Sequence, residues 1–438
     1  MMRTGMPESR GPLSIYIHVP FCARKCAYCD FLSHVPGPGE VDGYFDCLLA
    51  ELRSWKELIG GRRIRSVFFG GGTPSYVPAG YIAACMDGIR SIDSGIDSGI
   101  DSGIDAATEV TLEANPGTFG EEKLRLWKEA GINRLSIGLQ SADDEELARL
   151  GRIHSWRHFE ENYRLARACG IGNINVDLMS ALPGQTVESW TRTLEKVLAL
   201  RPEHISAYSL IIEEGTQFYQ LYSEGGPVTD SDSGKHSEGS LVTDPDSGKL
   251  KAGEAPRPVA ALPSEEEERR MYHCTKTILK KHGYGRYEIS NYSLPGFECR
   301  HNKVYWTGGD YLGVGIGASS YMEGRRFRAP DTMAAYREYA FSGKDLRRFN
   351  KQSRNEAMEE YMFLGLRMTE GISAEDFDRR FGSAGEGMSS IFSELYGAVA
   401  RKYIGMGLME MADGRIRLTD RGIDVSNVVL ADFLLDDE

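Results

Sequence analysis

Hydrophobic and polar positions alternate along the first half of the chain in a way that predicts six strands, each followed by an amphipathic helix. The predicted strands are residues 14–19, 66–69, 109–114, 134–139, 173–179 and 204–211. The helical patterns between them include residues 43–58, 121–129, 159–168 and 188–200, and Pro202 ends the last of these. Repeated units of this kind predict parallel strands joined by crossover helices.

These units also indicate the architecture of the first domain. No dinucleotide-binding fingerprint opens the series, so the pattern favours an α/β barrel or partial barrel. In such a barrel the functional residues lie on loops that follow the carboxyl ends of the strands. We predict this domain over residues 14–223, after an N-terminal tail of residues 1–13.

The second half of the chain follows other patterns. Residues 224–263 are rich in Ser, Gly, Asp and Pro and contain a repeated motif, which predicts an exposed low-complexity insertion. A shorter Ile-Asp-Ser-Gly repeat covers residues 92–105. Residues 264–340 open with a charged helical pattern and continue as a glycine- and aromatic-rich extension, predicted to be irregular with short strands.

The C-terminal segment, residues 341–438, is predicted to be mostly helical. Its helical patterns precede a hairpin that turns at Asp413 and Gly414, and Thr419 is placed to cap a last helix. Helices followed by a hairpin are typical of a winged-helix-like domain. The predicted fold class is therefore an α/β partial barrel with a smaller, mostly helical winged-helix-like domain.

Charge and composition restrict the partners. The chain has 51 Lys and Arg against 64 Asp and Glu, a net charge of -13, which argues against binding to nucleic acid or to an anionic membrane surface. The eight cysteines are unevenly spaced, which is typical of a reducing compartment. We find neither a signal-peptide pattern nor an apolar stretch long enough to span a bilayer, so we expect a cytoplasmic protein without a membrane span.

Three cysteines follow the first predicted strand, with the spacing Cys22-x-x-x-Cys26-x-x-Cys29. Three thiolates on one loop would leave one iron of a four-iron cluster without a protein ligand. The same trio could form most of a zinc site, with His34 or His18 as the fourth ligand. The spacing alone does not choose between the cluster and zinc.

Two further patterns mark the ends of later strands. Gly70-Gly71-Gly72-Thr73-Pro74 follows the second strand and lets backbone approach a ligand closely, although a tight turn explains it equally well. Polar side chains end the next three strands, at Glu113, Gln140 and Asp177, and Arg152 follows nearby. Because strand ends converge at one mouth of a barrel, these residues predict a polar ligand site there.

Taken together, the cysteine loop, the glycine motif and these strand-end residues resemble the radical S-adenosylmethionine (SAM) superfamily. Within it, the motifs YIHVPFC at residues 16–22, RLSIGLQS at 134–141, LPGQT at 182–186 and HISAYSL at 204–210 resemble the oxygen-independent coproporphyrinogen III oxidase family. The similarity extends from about residue 13 to the C-terminus, apart from the two insertions. The resemblance implies a partial (β/α)6 barrel of the radical SAM type.

The resemblance also implies roles for individual residues. Cys22, Cys26 and Cys29 would hold a [4Fe–4S] cluster, and SAM would bind its open iron. The other positions that the resemblance assigns to cofactor binding are Tyr16, Tyr28, Gly71, Gly72, Thr73 and Glu113, with Gln140, Arg152 and Asp177 matching contacts to a second SAM in true oxidases.

The family contains true oxidases and heme chaperones of the HemW type, and two positions favour the chaperones. Oxidases carry a fourth cysteine where this chain has Phe31, and residues 301–306 match the His-Asn-x-x-Tyr-Trp motif associated with heme binding in chaperones. His301 is then the candidate heme ligand, with Cys299 as the alternative. Ser319 stands where chaperones commonly have a histidine, and Ala181 replaces a usual glycine.

We therefore expect a heme chaperone that binds heme, a [4Fe–4S] cluster and SAM and passes heme to an acceptor protein. The alternative is a radical SAM decarboxylase acting on coproporphyrinogen III, so the sequence leaves enzymatic activity open and assigns no catalytic residue. A zinc-stabilised binding protein is a third hypothesis. The expected partners are a heme acceptor, which could be membrane-bound, and an electron donor; a homodimer is one option for the assembly.

Overall fold

A computed structural model of the chain describes residues 11–59, 61–93, 104–105, 107–223, 260–342, 350–382 and 390–435. Most of the two predicted low-complexity insertions and of the N-terminal tail lie outside the described residues. One large sheet and one small sheet organise the described part of the chain.

The large sheet has twelve strands in the order β12-β11-β10-β9-β1-β2-β3-β4-β5-β6-β8-β7. Strands β1 to β6 pair in parallel and match all six predicted strands. The strands are β1 Leu13–Val19, β2 Ile64–Gly71, β3 Glu109–Ala114, β4 Arg134–Gln140, β5 Asn173–Ser180, β6 His204–Ser209, β7 Gly285–Arg286, β8 Asn291–Ser293, β9 Tyr311–Val314, β10 Ser319–Met322, β11 Arg325–Arg328 and β12 Asn350–Lys351.

Helices connect the parallel strands as predicted. In chain order they are α1 Glu40–Ser54, α2 Lys56–Ile59, α3 Ala79–Asp93, α4 Glu121–Glu129, α5 Asp144–Arg149, α6 Trp156–Ala168, α7 Val187–Leu200 and α8 Gln217–Tyr222. Beyond the sixth strand follow α9 Glu265–Lys281, α10 Arg300–Trp306 and α11 Met333–Ser342. Ser155, Thr186 and Ser264 cap α6, α7 and α9 with their side-chain oxygens, which explains why these helices start there.

The glycine- and aromatic-rich extension contributes more strands to the large sheet than the sequence pattern predicts. Strand β9 adds to β1 in parallel, and β8 adds to β6 in antiparallel orientation, so the extension continues the sheet at both of its edges. Its strands are two to four residues long. Strands this short show too little alternation of polar and apolar residues to be recognised from sequence.

The two faces of the parallel strands differ in chemistry. Ile15, Val67 and Leu112 belong to the main hydrophobic core, which also contains residues of the surrounding helices. The positions next to them in sequence face the other way. There Ser14 and Ser66 share a hydrogen bond of 2.8 Å, and Tyr16 stacks on Phe68. The inner face of the barrel is therefore polar and aromatic, whereas its outer face is apolar.

The C-terminal unit has its own core and a small sheet in the order β13-β15-β14. Its elements are α12 Arg354–Arg367, β13 Ile372–Ser373, α13 Ala374–Phe381, α14 Ile391–Leu395, α15 Gly397–Gly405, β14 Met409–Ala412, β15 Arg415–Leu418, α16 Asp420–Asp424 and α17 Ser426–Ala431. The predicted turn at Asp413 and Gly414 joins β14 to β15, and Thr419 caps α16. Helices followed by this hairpin confirm the winged-helix-like prediction.

Within the described ranges, no helix is both long and apolar enough to cross a lipid bilayer.

Candidate functional site

The cysteine loop leaves β1 at the carboxyl edge of the parallel strands, and all three of its cysteines are half-buried. A short parallel bridge closes the loop: the Cys22 backbone N–H donates to the His34 carbonyl at 2.9 Å, and the His34 N–H donates to the Pro20 carbonyl at 2.8 Å. Lys25 donates from its Nζ to the carbonyl oxygens of Phe31 and Ser33. These bonds fix the path of the loop through backbone groups and leave the thiols free to bind a ligand.

The glycine motif fastens this loop to the second strand. The Gly72 N–H donates to the Val19 carbonyl and the Thr73 N–H donates to the Phe21 carbonyl, both at 2.8 Å. A Cβ atom on Gly72 would lie 2.8 Å from the Val19 oxygen, which is too close for any side chain. Gly71 adopts φ 106°, a conformation that favours glycine. The motif is therefore required for the close approach of the two segments.

A chain of polar contacts links two of the cysteines. The Thr73 hydroxyl lies 3.3 Å from the Cys22 sulfur and accepts a hydrogen bond from Asn115 Nδ2 at 2.9 Å. Asn115 Oδ1 accepts from Arg152 at 2.7 Å, and Arg152 Nη1 lies 3.6 Å from the Cys26 sulfur. Arg152 and Thr73 were predicted at this site, but Asn115 was not. Asn115 directly follows the third strand, and this place at a strand end is the sequence feature that could have assigned it to the site.

Glu113 is a half-buried carboxylate beside the glycine motif. It accepts from the Gly71 N–H at 3.3 Å, and it forms no ion pair with a described residue. Burial, together with the negative charge of Asp177, raises the pKa of Glu113 to about 8. A bound cation would stabilise its charged form. The ammonium group of an amino acid has that charge and can donate hydrogen bonds to the carboxylate.

The next strand ends bring Gln140 and Asp177 to the same edge. Asp177 accepts hydrogen bonds from Ser136 at 3.0 Å and from Asn175 at 2.7 Å, and burial raises its pKa. Gln140 sits in a bulge of β4 with φ 72°, a strained conformation for a residue with a side chain. Its side-chain oxygen accepts from the Tyr208 hydroxyl at 3.2 Å.

The two tyrosines assigned to cofactor binding are both half-buried beside this site. Tyr16 donates from its hydroxyl to Nδ1 of His18 at 3.0 Å and stacks on Phe68. Tyr28 packs beside Phe218 in a small apolar cluster under α8. We call the whole assembly the barrel mouth; its members are Tyr16, Cys22, Cys26, Tyr28, Cys29, Gly71, Gly72, Thr73, Glu113, Asn115, Gln140, Arg152 and Asp177.

The histidines considered as zinc ligands are engaged elsewhere. His34 bonds Glu40 at 2.6 Å, and His18 uses its two ring nitrogens on the Tyr16 hydroxyl and the Leu32 carbonyl. In the described part of the chain, no three His, Cys, Asp or Glu side chains converge as the ligands of one metal ion. Three thiolates that bind three different irons of a cluster do not need to converge on one point.

The donor set fits a cluster in a further respect. Burial raises the pKa of the Cys22 and Cys29 thiols, so a metal must displace their protons when it binds. Arg152 and the Thr73 hydroxyl are then placed beside sulfurs that carry negative charge. Hydrogen bonds and charges near cluster sulfurs are known to tune reduction potential.

His301 does not lie at the barrel mouth. It is only 1 % exposed and enters the barrel from the amino-terminal edge of the strands. Its Nδ1 lies 2.8 Å from the Ser66 hydroxyl and its Nε2 lies 2.9 Å from the Tyr305 hydroxyl, while its ring stacks on Phe68 at 5.0 Å. Burial lowers its pKa to about 3, so the imidazole is neutral. Both nitrogens are occupied, and this arrangement does not fit an iron ligand.

Cys299, the alternative ligand, is also enclosed. Its thiol donates to Glu109 Oε1 at 3.5 Å, and burial raises its pKa to about 12. Glu109 further accepts from the backbone N–H groups of Arg300 and His301 and so caps the start of α10. We call this cluster the barrel floor: Ser14, Ser66, Glu109, Cys299, His301 and Tyr305.

Three other positions that the sequence analysis singled out have defined exposure or backbone conformation in the structure. Phe31 is 62 % exposed on the cysteine loop. Ser319 is exposed at the start of β10, where it pairs with Arg328. Ala181 has φ 59°, so the position where a glycine is usual does require the left-handed conformation that glycine favours.

Comparison with known proteins agrees with this geometry. Residues 16–197 match the model of the Radical SAM superfamily, and residues 352–425 match that of the HemN C-terminal domain. The fold is similar to that of coproporphyrinogen III oxidase (HemN) from Escherichia coli, with a TM-score of 0.76 at 20 % identity, covering 98 % of this chain and 91 % of that one. The chain is thus a radical SAM protein by fold.

Sequence relatives identify the family more narrowly. The heme chaperone HemW of Lactococcus lactis is 32 % identical over 97 % of this chain and 98 % of its own length. HemW of Escherichia coli is 35 % identical over 73 % of this chain and 74 % of its own length. The mitochondrial radical S-adenosyl methionine domain-containing protein 1 of Bos taurus is 33 % identical, covering 86 % and 78 %. The chain belongs to the HemW family.

Proposed function

We propose that this protein binds a [4Fe–4S] cluster through Cys22, Cys26 and Cys29, binds SAM beside it at the barrel mouth, and carries heme to an acceptor protein. The observation that carries the cofactor part is the barrel mouth itself. There three half-buried thiols lie at the same strand edge as Glu113, a half-buried carboxylate that has no ion pair with a described residue.

The proposed roles follow from the contacts. Glu113 binds the ammonium group of SAM, and the backbone of Gly71 and Gly72 allows the ligand to approach the second strand. Arg152 and Thr73 offset negative charge on Cys26 and Cys22. The aromatic rings of Tyr16 and Tyr28 line the site. When bound, the cluster supplies an electron that can cleave the carbon–sulfur bond of SAM.

Gln140 and Asp177 form the far side of the same mouth. Gln140 is buried and Asp177 is half-buried, and both already accept hydrogen bonds from neighbouring side chains. We propose that Gln140 and Asp177 form the polar boundary of the SAM site. A second SAM molecule would have to compete with those internal bonds.

Family membership supports the heme-carrying part of the proposal, because the relatives named above include heme chaperones. The acceptor is then a heme-requiring protein, and the cluster requires an electron donor. We propose a cytoplasmic location. A membrane-bound acceptor is compatible with this proposal, because the carrier can dock on the acceptor protein itself.

The experiment is anaerobic reconstitution with iron and sulfide, followed by separate titrations with SAM and heme. We expect four irons and four sulfides per chain, a cluster spectrum that SAM perturbs, and a Soret band after heme is added. Turnover of coproporphyrinogen III under reducing conditions would instead support the oxidase hypothesis. Zinc without labile sulfide would support the zinc hypothesis.

A further inference from the structure

Asn115 lies in a turn whose backbone is held on both sides by hydrogen bonds. Its N–H donates to the Ser75 hydroxyl at 3.0 Å, and its carbonyl oxygen accepts from the Thr118 hydroxyl at 2.7 Å. The Ser75 and Thr118 hydroxyls lie 2.6 Å apart and join the two sides of the turn. The Asn115 side chain therefore starts from a fixed backbone and contacts Thr73 at one end and Arg152 at the other.

The hydrogen bonds of the Asn115 side chain run in one direction. A guanidinium group can only donate, so the oxygen of the Asn115 amide must face Arg152, which donates to it at 2.7 Å. The amide nitrogen then faces Thr73 and donates to its hydroxyl oxygen at 2.9 Å. Arg152 thus fixes which end of the amide faces Thr73.

This direction also sets the proton of the Thr73 hydroxyl. Thr73 is 2 % exposed, and among the described residues its hydroxyl has two hydrogen-bond contacts, to Asn115 Nδ2 and to the Cys22 sulfur at 3.3 Å. The amide N–H cannot accept the hydroxyl proton, whereas a thiolate carries no proton and can accept one. The Thr73 hydroxyl therefore donates to Cys22 when that thiol is ionised.

The absence of a side chain at Gly138 on β4 makes room for these contacts. A Cβ atom there would lie 2.8 Å from the Asn115 side-chain oxygen and 3.3 Å from Nη2 of Arg152. Arg152 also donates to the Gly138 carbonyl oxygen, and its Nη1 lies 3.6 Å from the Cys26 sulfur. One guanidinium group therefore contacts Cys26 directly and is linked to a second cysteine through Asn115 and Thr73.

We propose that Asn115 is a positioning residue for the cluster, because it links Arg152 to Thr73 and directs the Thr73 hydroxyl proton to the Cys22 sulfur. This proposal rests on the cluster-binding function proposed above. Hydrogen bonds to ligand sulfurs stabilise the reduced cluster, which carries one more negative charge, and so raise its reduction potential. Asn115 acts on that potential through Thr73.

The test is the midpoint potential of the cluster, measured anaerobically in the reconstituted full chain without SAM. Thr73→Val removes the hydroxyl and should shift the reduction equilibrium about tenfold toward the oxidised cluster, which is about 59 mV for one electron. Thr73→Ser keeps the hydroxyl and should retain the wild-type potential. A wild-type potential in Thr73→Val would overturn the proposal.

Asn115→Asp separates the direction of the hydrogen bond from the effect of charge. A carboxylate can only accept, so the Thr73 hydroxyl should turn toward it and away from Cys22. The added charge lowers the potential too, but that part remains when the substitution is made in Thr73→Val protein. We expect Asn115→Asp to shift the equilibrium about tenfold more in the wild-type background than in the Thr73→Val background. Equal shifts in the two backgrounds would mean that Asn115 acts through charge alone, and the proposal would be wrong.

Asn162→Asp is the matched control. Asn162 is half-buried like Asn115, and its side chain binds the backbone just after Asn115, at Gly117 and Phe119. We expect this variant to lower thermal stability and to keep a potential close to that of wild type. A shift as large as that of Asn115→Asp would contradict a specific role of Asn115.

Two kinds of failure are distinguishable in this experiment. If the wild-type protein takes up no iron and labile sulfide, the cluster-binding function itself is wrong. If it takes up a cluster and all variants share its potential, cluster binding stands and the role of Asn115 is overturned.

Discussion

The barrel mouth and the barrel floor are both polar clusters inside one barrel, yet their hydrogen bonding differs. At the floor, Glu109 accepts from the Cys299 thiol and from the first two backbone N–H groups of α10, and both nitrogens of His301 have hydroxyl partners. At the mouth, Glu113 has one long hydrogen bond and no ion pair with a described residue, and three thiols are half-buried.

This difference separates a structural cluster from a binding site. A buried polar group that is fully bonded stabilises the fold, whereas one that lacks a partner carries a free-energy cost that a ligand can offset. Changes at the mouth should therefore alter ligand binding more than stability. Changes at the floor should alter stability more than ligand binding.

The largest expected effect is the loss of the cluster from Cys26→Ala. With only two loop thiolates left, the cluster lacks the ligands that hold it, so iron and labile sulfide should fall to background after reconstitution. Cys169→Ala is the matched control, since Cys169 is a half-buried thiol at the end of α6. Equal iron content in the two variants would contradict the assignment of Cys26.

Glu113→Gln should affect SAM binding and the pH dependence of stability. We expect SAM affinity to fall at least about tenfold, because the ammonium loses a charged partner. The wild-type pKa is raised from 4.5 to about 8, so the folded state holds the proton more tightly than the unfolded state. That contribution is present below pH 4.5 and is lost as pH rises through 8.

Urea unfolding at pH 5 and pH 8 measures this effect. Wild type should lose stability between the two values by an amount on the order of 3 kcal/mol more than Glu113→Gln, which has no titrating carboxyl there. Parallel pH profiles for the two proteins would show that Glu113 ionises normally in the apoprotein.

At the floor, Tyr305→Phe should cost about 1–2 kcal/mol of unfolding free energy, because it leaves Nε2 of a buried imidazole without its partner. Tyr76→Phe is the control, since Tyr76 is partly exposed. We expect iron, sulfide and SAM binding to match wild type. If Tyr305→Phe kept normal stability but lost SAM binding, the predicted difference between the barrel floor and the barrel mouth would be wrong.

The smallest expected effect is at Ala181. Its φ of 59° is strained for alanine by about 1 kcal/mol, while glycine adds entropy to the unfolded chain. Ala181→Gly should therefore raise unfolding free energy by at most about 1 kcal/mol and leave SAM affinity unchanged. A clear loss of stability in denaturant titration would mean that the Ala181 methyl group contributes packing that outweighs the strain.

The six parallel strands and the mouth residues were predictable from sequence for a physical reason. Long buried strands carry a strong apolar pattern, and their polar end residues stand out against it, as Glu113 and Asp177 do. Parallel strands bring such ends to one edge. Asn115 was missed because an Asn before Pro is usually explained by a turn.

The floor could not be predicted in the same way. Whether His301 faces a ligand or a hydroxyl depends on strands β1 and β2, which lie more than two hundred residues earlier in the chain. The motif at residues 301–306 indicated that the histidine matters and gave no information on its partners.

The most direct test of the central claim is the electron paramagnetic resonance spectrum of the reduced, reconstituted protein with and without SAM. We predict that SAM changes the cluster spectrum of wild type and of Tyr305→Phe and leaves that of Glu113→Gln unchanged at the same concentration. An unchanged wild-type spectrum, or an equal change in Glu113→Gln, would contradict a SAM site at the barrel mouth.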